Sequence, residues 1–275
     1  MRIALVQMRS GIDPQANAVF LAESIKEAAS GGGTMVFTPE MSGLLDRDRA
    51  RASAHITGED DDIVLAEIRR TAADCGIWVS LGSLALRGGS DGRFVNRSIL
   101  IDAQGAIRAR YDKIHLFDVD LVSGESWRES SAYAAGNQAI VADTPAGLLG
   151  LSICYDLRFP ALYGALSGAG ATVLSVPAAF TASTGRAHWH VLLRARAIEN
   201  AAWVVAAAQS GVHEDGRTTF GHSLVVDPWG EVVLDMGDDC GVGYAEIDVS
   251  RGEDVRERIP VLQHRRAIPD AVILR

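Results

Sequence analysis

The sequence predicts an α/β fold in which one sheet carries helices on one face and a second sheet on the other. Three observations lead there. Short apolar runs alternate with segments of helical period in the order β-α-β-α-β. Two turn sequences join neighbouring strand-like runs into hairpins, so antiparallel pairing is mixed in. Strands as apolar as LLGLSI and VVAAA need cover on both faces, which a second sheet or a helix layer supplies. With 275 residues, 48% of them hydrophobic, the chain can bury a large core, and residues 1–275 read as one domain without repeat, low-complexity tract or Pro/Ser-rich linker.

The elements follow in order. Arg2 to Met8 alternates like a first strand. Between Asp13 and Ala29 the apolar positions Ala18, Leu21, Ile25 and Ala28 keep the helical period, with Asp13 as N-cap, Pro14 at the first helical position and glycines 31–33 as the stop. Met35 to Thr38 reads as a strand and Asp62 to Asp74 as a weaker helix. Ile77 to Leu84 and Val95 to Asp102 are strands, the second turning through Asp102-Ala-Gln-Gly105 into IRARYD. Leu148 to Ile153, Ala171 to Val176 and Trp203 to Ala208 are strands separated by helices at Pro160 to Leu166 and Ala187 to Asn200. Asp227-Pro-Trp-Gly230 forms the second hairpin turn.

Composition narrows the function. The 26 basic and 35 acidic residues leave a formal charge of −9 without a basic patch, which argues against a nucleic-acid partner. No stretch of about 18 uncharged apolar residues points to a membrane span. The start MRIALVQMRS lacks the apolar core of a secretion signal, so a cytoplasmic protein is expected. Three cysteines, Cys75, Cys154 and Cys240, form neither a CxxC pair nor an even disulfide set, and at least one thiol stays free in a monomer.

Cys154 is the most informative position. LLGLSIC runs an apolar strand straight into the polar YDLRFP, placing a thiol where a buried strand emerges, as in a nucleophile elbow. A free cysteine is often only a small buried residue, and Cys75 and Cys240 keep that reading. Asp156 and Arg158 set Cys154 apart, because charges are not packed beside a buried strand without a partner or a task. A thiol needs a base or a positive field to react. Histidine is the usual base, and His115, His188, His190 and His222 leave a Cys–His pair open. Glu40 at the end of MVFTP and Lys113 after IRARYD offer another set, each otherwise readable as a surface charge.

The segments FTPE, YDKIHLFD and CYDLRFP resemble the three signature blocks of the nitrilase (carbon–nitrogen hydrolase) superfamily, in order. The likeness continues through AAFTASTGRAHWHVLLRARAIEN and FGHSLVVDPWGEVV to PVLQHRR, and is greatest to the deaminated glutathione amidase type of its Nit branch. It implies an α-β-β-α sandwich that pairs as a homodimer, and a Glu40–Lys113–Cys154 triad. It also implies a second glutamate at Glu129, seven residues before Gly136, and substrate-binding positions at Arg158 and Thr184. Two acids of the family pattern are replaced, by Ala161 and by His190, which bears on the substrate and pocket rather than on the triad.

On this resemblance the expected reaction is hydrolysis of a small carboxylate-bearing amide to acid and ammonia. Cys154 attacks; Glu40 takes the thiol proton, returns it to leaving ammonia and then activates water against the thioester. Lys113 and the backbone N–H of Tyr155 stabilise the oxyanion. Glu129 either holds Lys113 or positions water. No metal or organic cofactor is required, and residues two apart on a helix, such as His188 and His190, face different ways. Omega-amidase, N-carbamoyl amino acid hydrolase and nitrilase activities share the triad, and a non-catalytic scaffold is the alternative of another class.

Overall fold

The computed structural model describes residues 1–89, 91–120, 124 and 126–274. In chain order the first part runs β1 (Arg2–Gln7), α1 (Pro14–Ser30), β2 (Met35–Phe37), α2 (Arg49–His55), α3 (Ile63–Cys75), β3 (Trp78–Arg87), β4 (Phe94–Ile101) and β5 (Ile107–Asp112). A short ribbon, β6 (Asp118–Asp120) and β7 (Ser126–Arg128), leads to β8 (Val141–Thr144) and β9 (Gly147–Leu151). Then come α4 (Pro160–Gly168), β10 (Val173–Ser175), α5 (Ala182–Asn200), β11 (Trp203–Ala206), β12 (Ser210–Val212) and β13 (Thr218–Phe220). The last elements are β14 (Leu224–Val226), β15 (Val232–Asp235), β16 (Gly241–Glu246) and α6 (Val249–Arg258).

These strands form two six-stranded mixed sheets, β16-β1-β2-β3-β4-β5 and β15-β14-β11-β10-β9-β8. The two-residue period of a strand explains how they layer. Ala4 and Val6 of β1 point into one core with Leu21 and Ile25 of α1 and Val64 and Ile68 of α3. Their neighbours Ile3 and Leu5 point the other way, into a core shared with Leu149, Val173 and Val204 of the second sheet. That sheet's far face is covered by Tyr163 and Leu166 of α4 and Trp189 and Leu193 of α5. Helices, sheet, sheet, helices is thus the order of layers, the sandwich expected.

The local chemistry works as anticipated at several points. The Asp13 side chain accepts from the Gln15 N–H at the start of α1, with Pro14 in the first turn, and Gly31 ends it. Both hairpins form: β4 pairs antiparallel with β5, and β14 with β15. The fifth helix departs from expectation, beginning at Ala182 rather than Ala187. Gly185 is accommodated in its first turns because a Cβ there would lie 2.3 Å from Cγ of Phe220. Among the described residues no helix is long and apolar enough to cross a membrane.

Candidate active site

Three strand ends meet where the two sheets face each other. Glu40 follows β2 and Lys113 follows β5, both of the first sheet, while Cys154 follows β9 of the second. β2 and β5 run the same way, because β4 reverses between β3 and β5, so both residues leave from one edge. The loop carrying Glu40 is pressed onto β3 at Gly82, where a Cβ would lie 2.0 Å from the Thr38 carbonyl oxygen and 2.3 Å from that of Pro39. The adjacent β3–β4 register shifts between Leu81 and Leu84, as a bulge requires. Two non-glycine residues sit in the left-handed region here, Met41 at φ 54° and Cys154 at φ 47°. Such backbone is costly for side-chain-bearing residues and turns the thiol out of the line of the strand.

Glu40 and Lys113 are buried, Glu129 is half-buried, and the three are mutually bonded. Lys113 Nζ donates to Glu40 Oε1 at 2.8 Å and to both Glu129 oxygens, Oε1 at 3.1 Å and Oε2 at 3.0 Å. Glu40 Oε2 accepts the Ala179 N–H at 2.9 Å, and Glu129 Oε2 accepts the Phe117 N–H at 2.6 Å. Asn96 Nδ2 donates to Glu40 Oε1 at 2.9 Å and to Glu129 Oε1 at 3.2 Å. Sequence reasoning missed Asn96. Its signal was there, in a polar residue at a buried position of the apolar strand β4.

Burial pushes the Glu40 carboxyl up, but the Lys113 ammonium and the surrounding donors overcome it and hold the group below its ordinary value. Burial would also discharge Lys113; the Glu129 and Glu40 charges prevail and raise it well above the usual lysine range. Cys154 is raised well above the ordinary thiol value by burial first and by the Glu40 charge second, with Lys113 opposing. The resting arrangement is therefore a neutral thiol beside a carboxylate and an ammonium, rather than a preformed thiolate.

Asp156 fixes the segment after Cys154. It accepts from the Ile153 N–H at 2.8 Å and the Tyr111 hydroxyl at 2.7 Å, and it bonds the His115 N–H at 3.0 Å and ring Nδ1 at 2.7 Å. Cys154–Arg158 is a 3₁₀ turn, and α4 starts only at Pro160, so Arg158 precedes a helix rather than opening it. Among the described residues no backbone or side-chain acceptor takes the Tyr155 N–H.

A cavity of about 590 Å³ opens over these groups, lined by Glu40, Lys113, Glu129 and Cys154 and also by Tyr155, Arg158 and Thr184. Arg158 does not pair with Asp156, the ordinary structural alternative. Its guanidinium lies 5.3 Å from the Phe180 ring centroid and 3.3 Å from His188 Nδ1, and among the described residues it meets no carboxylate. Thr184 bonds Thr181 through their hydroxyls at 2.7 Å in the first turn of α5. No histidine among the described residues lines the cavity; His115 stacks on Phe159, His188 faces Arg158, and His190 and His222 meet Asp235 elsewhere. The Cys–His alternative thus has no partner in place. Cys75 ends α3 and Cys240 is exposed, both outside the cavity lining.

The carbon-nitrogen hydrolase family matches residues 2–257. This chain belongs to that family. The hydrolase is 42% identical over 273 residues to a deaminated glutathione amidase of Yersinia enterocolitica, covering 98% of this chain and 94% of that one. The crystal structure of the Caenorhabditis elegans NitFhit protein superposes with a TM-score of 0.89 at 41% identity, over 96% of the hydrolase and 65% of that chain. A glutamate-to-glutamine mutant of an amidase from Nesterenkonia sp. AN1, solved with acrylamide joined by Michael addition to its active-site cysteine, is similar at a TM-score of 0.79 and 27% identity, over 94% of the hydrolase and 98% of that chain.

Proposed function

We propose that the chain is an amidase cleaving a small carboxylate-bearing amide, deaminated glutathione favoured, through a thioester on Cys154. The observation that carries this reading is one cavity lined by a buried thiol, a carboxylate and an ammonium, with Arg158 on its wall. The Cys154 sulfur adds to the amide carbonyl as Glu40 takes its proton, and the oxyanion forms against Lys113 Nζ and the Tyr155 N–H. Glu40 passes the proton to the leaving nitrogen, and ammonia departs. Water then attacks the thioester, Glu40 accepting its proton, and the acid leaves with the thiol restored. Glu129 holds the ammonium in this reading, which its two contacts with Lys113 support. The relatives named as deaminated glutathione amidases support the substrate choice, as does Arg158 on the wall, which meets no carboxylate among the described residues.

The chain works as a homodimer in this reading; Val191 is 67% and Ile198 50% exposed on the outer side of α5. Free thiols accord with a cytoplasmic, reducing setting. The test measures ammonia release from deaminated glutathione, α-ketoglutaramate, an N-carbamoyl amino acid and a nitrile side by side. Deaminated glutathione should be the best substrate. Cys154→Ala should abolish turnover, while Cys75→Ala and Cys240→Ala preserve it. Loss of activity on Cys75→Ala in folded protein would show that the wrong thiol was chosen, and faster release from the nitrile would displace the amidase reading.

A further inference from the structure

We propose that His190, His222 and Asp235 form a binding site for one divalent transition metal of the zinc class, apart from the catalytic cavity. Three separate pieces of chain deliver them: His190 from α5, His222 from the residue pair before β14, and Asp235 from the end of β15. One donor atom from each lies within 4.8 Å of the others. His190 Nε2 is 2.9 Å from Asp235 Oδ2, and His222 Nδ1 is 2.8 Å from Asp235 Oδ1. Ligand atoms around a tetrahedral zinc ion with bonds of about 2.0–2.1 Å stand roughly 3.3 Å apart. Small ring rotations therefore open a place for the ion between groups that already converge. Two imidazoles and one carboxylate suit zinc, cobalt or nickel, whereas calcium and magnesium prefer oxygen donors.

The surroundings are those of a held ligand set. His222 sits at φ 54°, its N–H donating to the Gly237 carbonyl at 2.7 Å and its own carbonyl accepting from Trp189 Nε1 at 2.8 Å. Its second ring nitrogen, Nε2, lies 3.7 Å from the exposed Asp238 Oδ1, beyond hydrogen-bond reach. The Gly237 N–H steadies Asp235 at 3.0 Å, and the Phe220 ring stacks on His222 with centroids 4.5 Å apart. Side-chain exposures of 36%, 25% and 33% for His190, His222 and Asp235 leave room for water to complete the shell. An ion here would fasten the β14–β15 hairpin to α5.

The competing account is a histidine–aspartate hydrogen-bond cluster with a purely structural task. His190→Gln separates the two, because glutamine keeps an N–H for Asp235 but removes the imidazole. The full chain, stripped with chelator, is titrated with zinc by calorimetry in the Cys154→Ala background, which removes the buried thiol as a competing ligand. One saturable site per chain is expected. His190→Gln should weaken it by roughly 100-fold, with unchanged far-ultraviolet circular dichroism. Zinc should raise the melting temperature of the parent and not of His190→Gln. Cobalt in the parent should show visible absorption bands of a four-coordinate ion. No saturable binding in the parent, or equal binding by His190→Gln, would overturn the proposal.

Discussion

Glu40→Gln should move two readouts of the same thiol in opposite directions. Glu40 lies below the ordinary carboxylate value and Cys154 above the ordinary thiol value, so proton transfer between them at rest runs uphill. The carboxylate charge is itself the second cause of the high thiol value, after burial. A neutral glutamine of the same size removes that charge while Lys113 keeps Glu129, and the thiol should ionise more easily. Relief of about 1.4 kcal/mol of repulsion would raise the thiolate fraction near neutral pH about tenfold. Its intrinsic nucleophilicity drops by about threefold, leaving alkylation roughly threefold faster. Amide turnover should instead fall by about 10²–10⁴-fold, or about 2.7–5.4 kcal/mol of barrier, because the leaving nitrogen has no proton donor. The assay pairs iodoacetamide labelling of Cys154, followed by intact mass, with ammonia release on the same preparations. Labelling that slows in step with turnover would refute the reasoning, since Glu40 would then be generating the thiolate rather than restraining it.

Asn96→Leu should lower urea stability by about 1–3 kcal/mol, because the buried Glu40 and the half-buried Glu129 each lose a donor, and turnover should fall as well; a variant as stable and active as the parent would remove Asn96 from the site. Arg158→Met should lower kcat/KM for carboxylate-bearing amides and leave neutral amides nearly untouched, and equal losses on both sets would defeat the carboxylate clamp. The pH dependence of stability follows from the buried pair. Glu40 is lowered from 4.5, so its contribution is present above that value and lost as the pH falls through the lowered one. Lys113 is raised from 10.5, so its contribution is present below that value and lost as the pH rises through the raised one. Urea midpoints measured across pH should lose part of their acid-side fall in Glu40→Gln, and superimposable acid limbs would exclude the lowered carboxyl.

What the sequence determined by itself was local. Alternation marked β1, an aspartate and a proline marked the start of α1, and turn residues marked both hairpins, because period, caps and turns are set within a few neighbouring residues. Glu40, Lys113 and Cys154 were candidates for the same reason, each being a polar or reactive group where an apolar run ends, and the fold brings all three to one cavity. Only the tertiary structure decided the rest. β16 has little apolar burial of its own and exists by pairing with β1 across most of the chain. The early start of α5 depends on Phe220 packing against Gly185, and the 3₁₀ turn after Cys154 depends on Asp156 gathering donors from Ile153, Tyr111 and His115. Asn96 reads as one polar residue in a strand until the fold brings two carboxylates to its amide. A hydrogen-bond partner distant in sequence has no local period to announce it, so burial had to choose the partners after the layers closed.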